Sequence, residues 1–252
     1  MGVKHFFELS FQIAKSGFKL RNEGSYLGIL WYLLNPLLLF VLLLLVFADR
    51  LGNEIPMYPL YLLLGIVMFN FFQQTTSEST RIVLVDYRDL VKSINFPREA
   101  IVLGAVLKFL FSHFFEILLF LVFLVFLDGP LIGIIFYPLI LAFFGVFIFG
   151  FSLMLSSLTV YFVDLENIWG FFVRLAWLGT PIFYSIGGQD KLFVANLLNP
   201  LYYFITVSRD VIVYSRLPEL WLVLGAMFYS FFFFLIGLLI FNKLKTKLAE
   251  MI

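Results

Sequence analysis

His113 and Glu116 come closest, among the residues of this sequence, to a reactive pair. They lie three residues apart in an apolar stretch and so share one face of a helix, a spacing found in the metal sites of helix bundles. A metal site needs further ligands, and the only other histidine, His5, belongs to a separate amphipathic segment. We therefore favour a structural pair between helices over a metal site or an acid–base role, and we expect no metal.

Other reactive chemistry has few residues to support it. The chain has no cysteine, which excludes disulfides, thiolate catalysis and cysteine metal sites. No glycine is followed by Lys-Ser or Lys-Thr, so a P-loop is absent and any ATP must be bound by another chain. No polar cluster with a nucleophile or a base is evident, so we expect neither enzyme activity nor a cofactor.

The composition is that of an integral membrane protein. Of the 252 residues, 62% are hydrophobic, 20% aromatic and only 13% charged, whereas soluble domains are roughly half apolar and a quarter charged. The net charge of +1 gives no reason to expect a nucleic-acid partner. Charged residues interrupt residues 1–23, so no cleavable signal peptide is expected there.

Six stretches are long and apolar enough to cross a bilayer, which predicts an all-α membrane protein with six transmembrane helices. Four have no Asp, Glu, Lys or Arg, and two contain one charge each, Glu116 or Arg174. One central charge costs about 2.5–3.5 kcal/mol, which a long apolar run tolerates. The fourth stretch is predicted to be one long helix bent near Pro138. The predicted spans are 24–48, 55–77, 109–127, 129–163, 167–184 and 220–242.

Basic residues predict the orientation of these spans. With the N-terminus inside, eleven Lys and Arg residues near the ends of the spans lie on the cytoplasmic side. Only Arg50, Lys191, Arg209 and Arg216 then lie outside. We therefore expect both termini in the cytoplasm.

Two segments do not fit the pattern of simple spans or loops. Residues 1–23 place apolar and charged side chains on opposite sides of a helix, which is typical of a helix in the cytoplasmic headgroup plane or one packed against a soluble partner. Residues 186–217 are too apolar for a solvated outer loop, so we expect one or two short helices that re-enter the outer leaflet. The expected domains are thus an interfacial helix, 1–23, and a transmembrane domain, 24–252.

Aromatic residues are unusually frequent, with 35 Phe, 12 Tyr and 4 Trp. Lipid-facing and interfacial rings account for most of them, but rings that line a conduit would also suit a sliding sugar polymer. Arg174 lies deep in its span, where a charge indicates either a functional site or a buried pair. The candidates for channel or mouth lining are Tyr26, Trp31, Tyr32, Pro36, Trp169, Phe172, Arg174 and Trp177.

The largest predicted cytoplasmic loop, 86–99, is a candidate docking element for a cytoplasmic motor. It begins like a short helix with acidic residues in its first turn and ends near Pro97. Its charges are equally compatible with a solvated face. The candidate residues for such docking are Asp86, Arg88, Asp89, Lys92, Phe96, Pro97, Arg98 and Glu99.

Three stretches, in order along the chain, resemble landmark regions of the permease subunits of type-2 ABC exporters for polysaccharides, the group that exports O-antigen, capsule and teichoic acid chains. They are SYLGILWYLLNPLLLF at 25–40, DLVKSINFPRE at 89–99 and LNPLYYFITVSRDV at 198–211. That family often has Phe-Arg-Asp after its fourth span, whereas this chain reads Tyr-Phe-Val-Asp at 161–164. A role for an arginine at that position is therefore not carried over.

The resemblance implies a homodimer in the bacterial inner membrane whose two subunits form a channel for a lipid-linked polysaccharide, as in lipopolysaccharide biosynthesis. Two copies of a separate ATPase subunit would drive it from the cytoplasm through a coupling helix at 86–99. Residues 186–217 would form an outer gate, with Asn199, Pro200, Tyr202, Tyr203 and Arg209 as its candidate residues. The alternatives are an ABC-2 permease for drugs or lipids, and a passive membrane channel or scaffold.

Overall fold

The structure is a computed structural model that describes residues 3–23, 26–28, 30–52, 54–83, 87, 96–159, 161–162 and 164–250. In these ranges the regular structure is helical. The α-helices are α1 Val3–Asn22, α2 Leu30–Leu51, α3 Tyr58–Ser79, α4 Glu99–Phe126, α5 Tyr137–Leu158, α6 Leu165–Gly179, α7 Asp190–Leu197, α8 Pro200–Ser208 and α9 Leu220–Glu250. A 3-10 turn, Ile132–Phe136, precedes α5, and a π-helical turn, Arg209–Val213, follows α8.

Four segments are long and apolar enough to cross a membrane: α2, α4, α5 with its preceding 3-10 turn, and α9. The prediction of an all-helical, multi-pass membrane protein is thereby confirmed. The 15 residues of α6 extend about 22 Å, which is shorter than the roughly 30 Å of bilayer hydrocarbon. The count of six spans stays a prediction.

Helix α3 forms the centre of the bundle. Every residue from Leu60 to Phe69 is buried, as expected for a helix that is apolar on all sides. Helices α2, α4, α5, α6 and α8 all pack against it. The two ends of α3, here called the Tyr58 end and the Ser79 end, therefore mark the two ends of the bundle.

The amphipathic helix α1 packs along α4. Ala14 is fully buried, and a Cβ atom built on Gly104 would lie 2.6 Å from Cγ2 of Ile13. Farther along, Phe18 stacks on Phe115 with ring centroids 6.3 Å apart. The contacts advance together along both helices, so α1 runs beside the first half of α4 in the same direction. Its interfacial position in the membrane stays a prediction.

Helices α5 and α9 cross where both carry a glycine. A Cβ atom on Gly237 would collide with the backbone carbonyl of Gly150. About two helical turns before the two glycines, the Ser230 hydroxyl donates a hydrogen bond of 2.9 Å to the Phe143 carbonyl. Small residues thus let the two backbones approach closely, which is how helices commonly associate in membranes.

Helix α4 begins much earlier than the predicted third span. It starts at Glu99, whereas the predicted span starts at residue 109, after Lys108. The intervening Lys108 does not end the helix, because it forms an ion pair with Glu78 of α3. A charge with a partner on a neighbouring helix is compatible with a continuous helix.

Proline sets two other boundaries that differ from the prediction. Pro138 lies in the first turn of α5, where its missing N–H leaves no hydrogen bond unmade, so it begins this helix rather than bending it. Helix α6 ends at Gly179 rather than at residue 184, because Thr180 is extended before Pro181.

Candidate functional sites at the two ends of the helix bundle

A buried arginine organises the Tyr58 end. Arg209 is only 2% exposed. Its Nε and Nη2 donate to the Tyr61 carbonyl at 3.1 and 3.0 Å, its Nη1 to the Pro181 carbonyl at 2.6 Å, and its Nη2 also to the Ile182 carbonyl at 2.7 Å. Burial lowers the pKa of Arg209, while nearby Tyr61 opposes that shift. Arg209 thus ties α8 to α3 and to the segment after α6, while its location on the outer side of the membrane stays a prediction.

Two tyrosines at the start of α3 bind the same segment. The Tyr58 hydroxyl donates to the Phe183 carbonyl at 2.9 Å, and the Tyr61 hydroxyl donates to the Tyr184 carbonyl at 2.7 Å. Neither residue was among the candidates predicted from the sequence. Their spacing of three, which places both rings on one face at the beginning of a span, is a signal that could have identified them.

A cavity of about 790 Å³ opens at the Tyr58 end. It lies between the α2–α3 loop, the loop before α7, helix α8 and the turn that follows α8. Arg209 and two of the residues that it contacts, Tyr61 and Pro181, line it. Other lining residues are Glu54, Gln189, Asp190, Tyr202, Asp210 and Tyr214.

Of the carboxylates that line this cavity, one forms an ion pair with a described residue and two do not. The side chain of Asp210 is 5% exposed and its Oδ1 accepts hydrogen bonds from Nε and Nη2 of Arg216 at 2.9 and 2.6 Å. Burial raises the pKa of the Asp210 carboxyl, and the hydrogen bond from Arg216 opposes the shift. Glu54 and Asp190 are exposed, and within the described part of the chain their carboxylates have no hydrogen bond or ion pair.

The five residues predicted to form an outer gate have two kinds of position. Asn199 caps α8 by accepting a hydrogen bond of 3.1 Å from the Leu201 N–H, and Pro200 occupies the first turn. Tyr203 is buried and donates to the Leu197 carbonyl at 2.8 Å. These three hold α8 in place. The other two candidates, Tyr202 and Arg209, line the cavity.

A second polar region lies at the Ser79 end, around a cavity of about 740 Å³. Arg21 of α1 donates a hydrogen bond of 2.9 Å to Oε1 of Gln74, and its guanidinium lies 4.8 Å from the Tyr32 ring centroid. A smaller cavity of about 150 Å³ shares Arg21 and Gln74 and reaches the buried Glu116. Sequence reasoning missed Arg21 and Gln74, because neither belongs to a recognisable motif.

The structure brings only some of the predicted channel residues together. Trp31 and Tyr32 line the smaller cavity at the Ser79 end. Arg174 is exposed and, among the described residues, has no partner, so within the single chain it is not part of a buried pair. The remaining candidates are spread over the surface or packed inside: Tyr26 and Phe172 are exposed, Pro36 is buried in α2, Trp169 donates to Thr76 Oγ1 at 3.1 Å, and Trp177 packs on Phe69.

His113 and Glu116 have the geometry of a structural pair. His113 Nε2 lies 2.5 Å from the Tyr137 hydroxyl, and its Nδ1 lies 3.4 Å from Glu116 Oε2. The imidazole also stacks on Phe71, with ring centroids 4.9 Å apart. Across the ranges that the structure describes, no three His, Asp or Glu side chains are grouped as metal ligands. The pair thus joins α3, α4 and α5.

The predicted coupling loop is described in part. Asp86, Arg88, Asp89 and Lys92 lie outside the described residues. Phe96 packs against a buried apolar cluster to which α1 and α4 contribute. The Pro97 and Arg98 carbonyls accept hydrogen bonds of 3.0 Å from the next turn, and Glu99 lies in the first turn of α4, where an acidic side chain is favourable.

Comparison with known proteins gives one family and several relatives. The family model described as ABC-2 type transporter matches residues 8–213. Two O-antigen export system permease proteins RfbA of Klebsiella pneumoniae are 29% and 28% identical to the chain, over 98% of its length and 96% of theirs. The O-antigen export system permease protein RfbA of Myxococcus xanthus is 25% identical over 80% of this chain and 78% of its own.

Proposed function

Because the chain belongs to the ABC-2 type transporter family, we propose that it is the membrane-spanning subunit of an ATP-driven exporter for a lipid-linked, O-antigen-like polysaccharide. The observation that carries this proposal is the likeness to O-antigen export permeases along 98% of the chain. A likeness of that extent includes both ends of the bundle and the segments between them. The subunit itself makes and breaks no covalent bond in this proposal.

ATP is bound and hydrolysed by a separate ABC ATPase subunit, present in two copies. The absence of a P-loop from this sequence supports that division of labour. The ATPase docks on the 86–99 loop, and Phe96 relays its movement to the cluster that α1 and α4 share. Two copies of this chain form the channel between them, in contact with membrane lipids, and the exposed Arg174 and Phe172 belong to the surfaces that the second copy completes.

The Ser79 end faces the cytoplasm of a bacterial cell and the Tyr58 end faces outward across the inner membrane. The excess of Lys and Arg toward the Ser79 end and both termini supports this orientation. Helices α2, α3, α4, α5, α6 and α9 are the six spans. Helices α7 and α8 re-enter from outside as the gate, an arrangement supported by the burial of Leu201, Phe204 and Ile205 of α8.

The test is deletion of the gene in its host, followed by complementation and analysis of surface glycan. Loss of one surface polysaccharide, with its lipid-linked form accumulating inside, supports the proposal. Unchanged glycan together with altered drug resistance or lipid distribution would favour a permease for those cargoes. Native mass spectrometry of the gently extracted complex should give two copies of the chain with two ATPase subunits. A self-assembly without an ATPase would favour a passive channel.

A further inference from the structure

We propose that the cavity at the Tyr58 end is a binding site for neutral sugar units. The proposal rests on the proposed function, in which a glycan leaves the membrane at this end. With about 790 Å³, the cavity lies within the roughly 300–1,000 Å³ range of small-molecule sites. It therefore has room for part of a glycan chain.

The cavity presents hydrogen-bonding groups that have no partner in the described structure. They comprise acceptor-only carboxylates of Glu54 and Asp190, the amide of Gln189 and the hydroxyls of Ser185 and Thr206. Each sugar hydroxyl is both a donor and an acceptor. A wall with several free acceptors and a few free donors is therefore complementary to a ligand with many hydroxyl groups.

Aromatic rings supply the apolar part of the same wall. Tyr202 and Phe193 line the cavity, and Phe193 is 38% exposed. The Tyr202 ring is held by Tyr203 and Trp221, at centroid distances of 5.6 and 6.4 Å. Fixed rings offer a large, rigid contact area at a low cost in conformational entropy. Such faces suit the C–H surface of a pyranose ring.

The charges select against an anionic ligand. Arg209 donates its hydrogen bonds to backbone carbonyls, and Arg216 forms an ion pair with Asp210. Among the charges that line this cavity, those without a partner in the described structure are the carboxylates of Glu54 and Asp190. They would repel a phosphate or an acidic sugar, because like charges in a partly desolvated site repel. The site therefore suits the neutral sugars of the glycan rather than the phosphate of its lipid carrier.

Trp221 provides the readout of the test. Its ring contacts both cavity-lining aromatics, Phe193 at 6.1 Å and Tyr202 at 6.4 Å between centroids. The full chain in lipid nanodiscs is titrated with short neutral oligosaccharides of glucose, galactose and mannose, and with sulfated versions of the same compounds. We expect at least one neutral oligosaccharide to change the tryptophan fluorescence in a saturable way, and the change to be lost in Trp221→Phe.

The variants separate the cavity from the rest of the surface. Glu54→Gln with Asp190→Asn removes both free carboxylates and should weaken binding about tenfold or more, since hydrogen bonds to charged groups are stronger than those to neutral groups. Asp128→Asn is the matched control, because Asp128 is an exposed carboxylate that does not line the cavity. Equal weakening in the control, no saturable response, or a response to the sulfated compounds alone would overturn the proposal.

Export by the same variants distinguishes failure of this inference from failure of the proposed function. If the unaltered chain restores surface glycan but no neutral oligosaccharide binds, only the sugar site is rejected. If the unaltered chain restores no glycan in its deletion strain, the proposed function is rejected, whatever the titration gives. The double variant, when binding is confirmed, is expected to reduce export while leaving the amount of protein in the membrane unchanged.

Discussion

The guanidinium of Arg209 lies 3.3 Å from the centroid of the Tyr61 ring and donates two hydrogen bonds to the backbone carbonyl of the same residue. Tyr61 thus contacts Arg209 both with its aromatic ring and with its backbone carbonyl. The remaining donors reach Pro181 and Ile182. Three segments that are distant in the sequence are therefore joined at one point.

Replacing Arg209 by alanine should strongly destabilise the protein. The change removes all four hydrogen bonds that this side chain donates to buried carbonyls, and a buried acceptor that is left unsatisfied costs about 1–3 kcal/mol. Arg209→Lys keeps the charge but loses the planar fork, so it should have an intermediate effect. Thermal unfolding in nanodiscs measures both. Arg50→Ala, which removes an exposed arginine at the same end, should change little, and an equal effect in this control would contradict the role of the buried contacts.

The α5–α9 crossing predicts different effects for two glycine substitutions. Gly237→Ala places a methyl group against the Gly150 backbone and should cost about 1–3 kcal/mol, because the helices must separate. Gly145→Ala is the matched control on α5, since a Cβ atom there meets nothing within 4 Å. Unfolding of the two variants should differ clearly. Similar stabilities would mean that the close approach does not hold the helices together.

The packing of α1 on α4 can be measured by cysteine labelling, because the chain has no cysteine of its own. Cysteine in place of the buried Ala14 should react slowly with a maleimide. Adding Gly104→Leu, which pushes into Ile13, should make that cysteine react faster. Cysteine in place of Phe11, which is 50% exposed, should react at the same rate with or without Gly104→Leu. No acceleration at position 14 would show that α1 is held elsewhere.

The hydrogen bond between Tyr137 and His113 should stabilise the bundle without any metal. Tyr137→Phe removes the hydroxyl and should cost about 1 kcal/mol. Ser152→Ala also removes a buried hydroxyl, but one without a hydrogen-bond partner in the described structure, so this control should be neutral or slightly stabilising. Treatment with a chelator should leave the unfolding temperature of the unaltered protein unchanged. A drop on chelation would restore the metal-site hypothesis, since structural metals couple to folding.

Charge reversal in the coupling loop should stop export if an ATPase drives it. Arg98→Glu places a negative charge at the start of α4, beside Glu99, on the side proposed for the ATPase. We expect glycan export to fall more than tenfold while the protein remains in the membrane in normal amounts. Lys4→Glu, at an exposed position of α1, serves as the control. Export that survives Arg98→Glu would favour a passive channel.

Much of the helical fold follows from the apolar runs of the sequence. The charge-free stretches predict α2, α3 and α9 to within a few residues at most ends, because a membrane requires long apolar helices whatever their neighbours. The early start of α4 could not be predicted in this way. Whether Lys108 ends or continues a helix depends on Glu78, which lies in a different helix.

The candidate sites were less predictable, for a similar reason. Arg209 was predicted on the outer side from the order of the spans and the distribution of Lys and Arg, neither of which tells what its side chain contacts. Its actual partners are backbone carbonyls of distant segments, which no side-chain pattern in the sequence reveals. Tyr202, in contrast, was identified beforehand and lines the cavity.

The Arg209 contacts also limit how the proposed gate could move. The carbonyls of Pro181 and Ile182 and the arginine itself lie at the two ends of residues 183–208, so one side chain fastens both ends of this excursion to α3. The Tyr58 and Tyr61 hydroxyls also hold residues 183 and 184, and the Tyr229 hydroxyl of α9 donates to the Leu197 carbonyl. The two ends of the excursion cannot separate without breaking buried hydrogen bonds, so an opening at low cost has to leave both ends in place and move the segment between them.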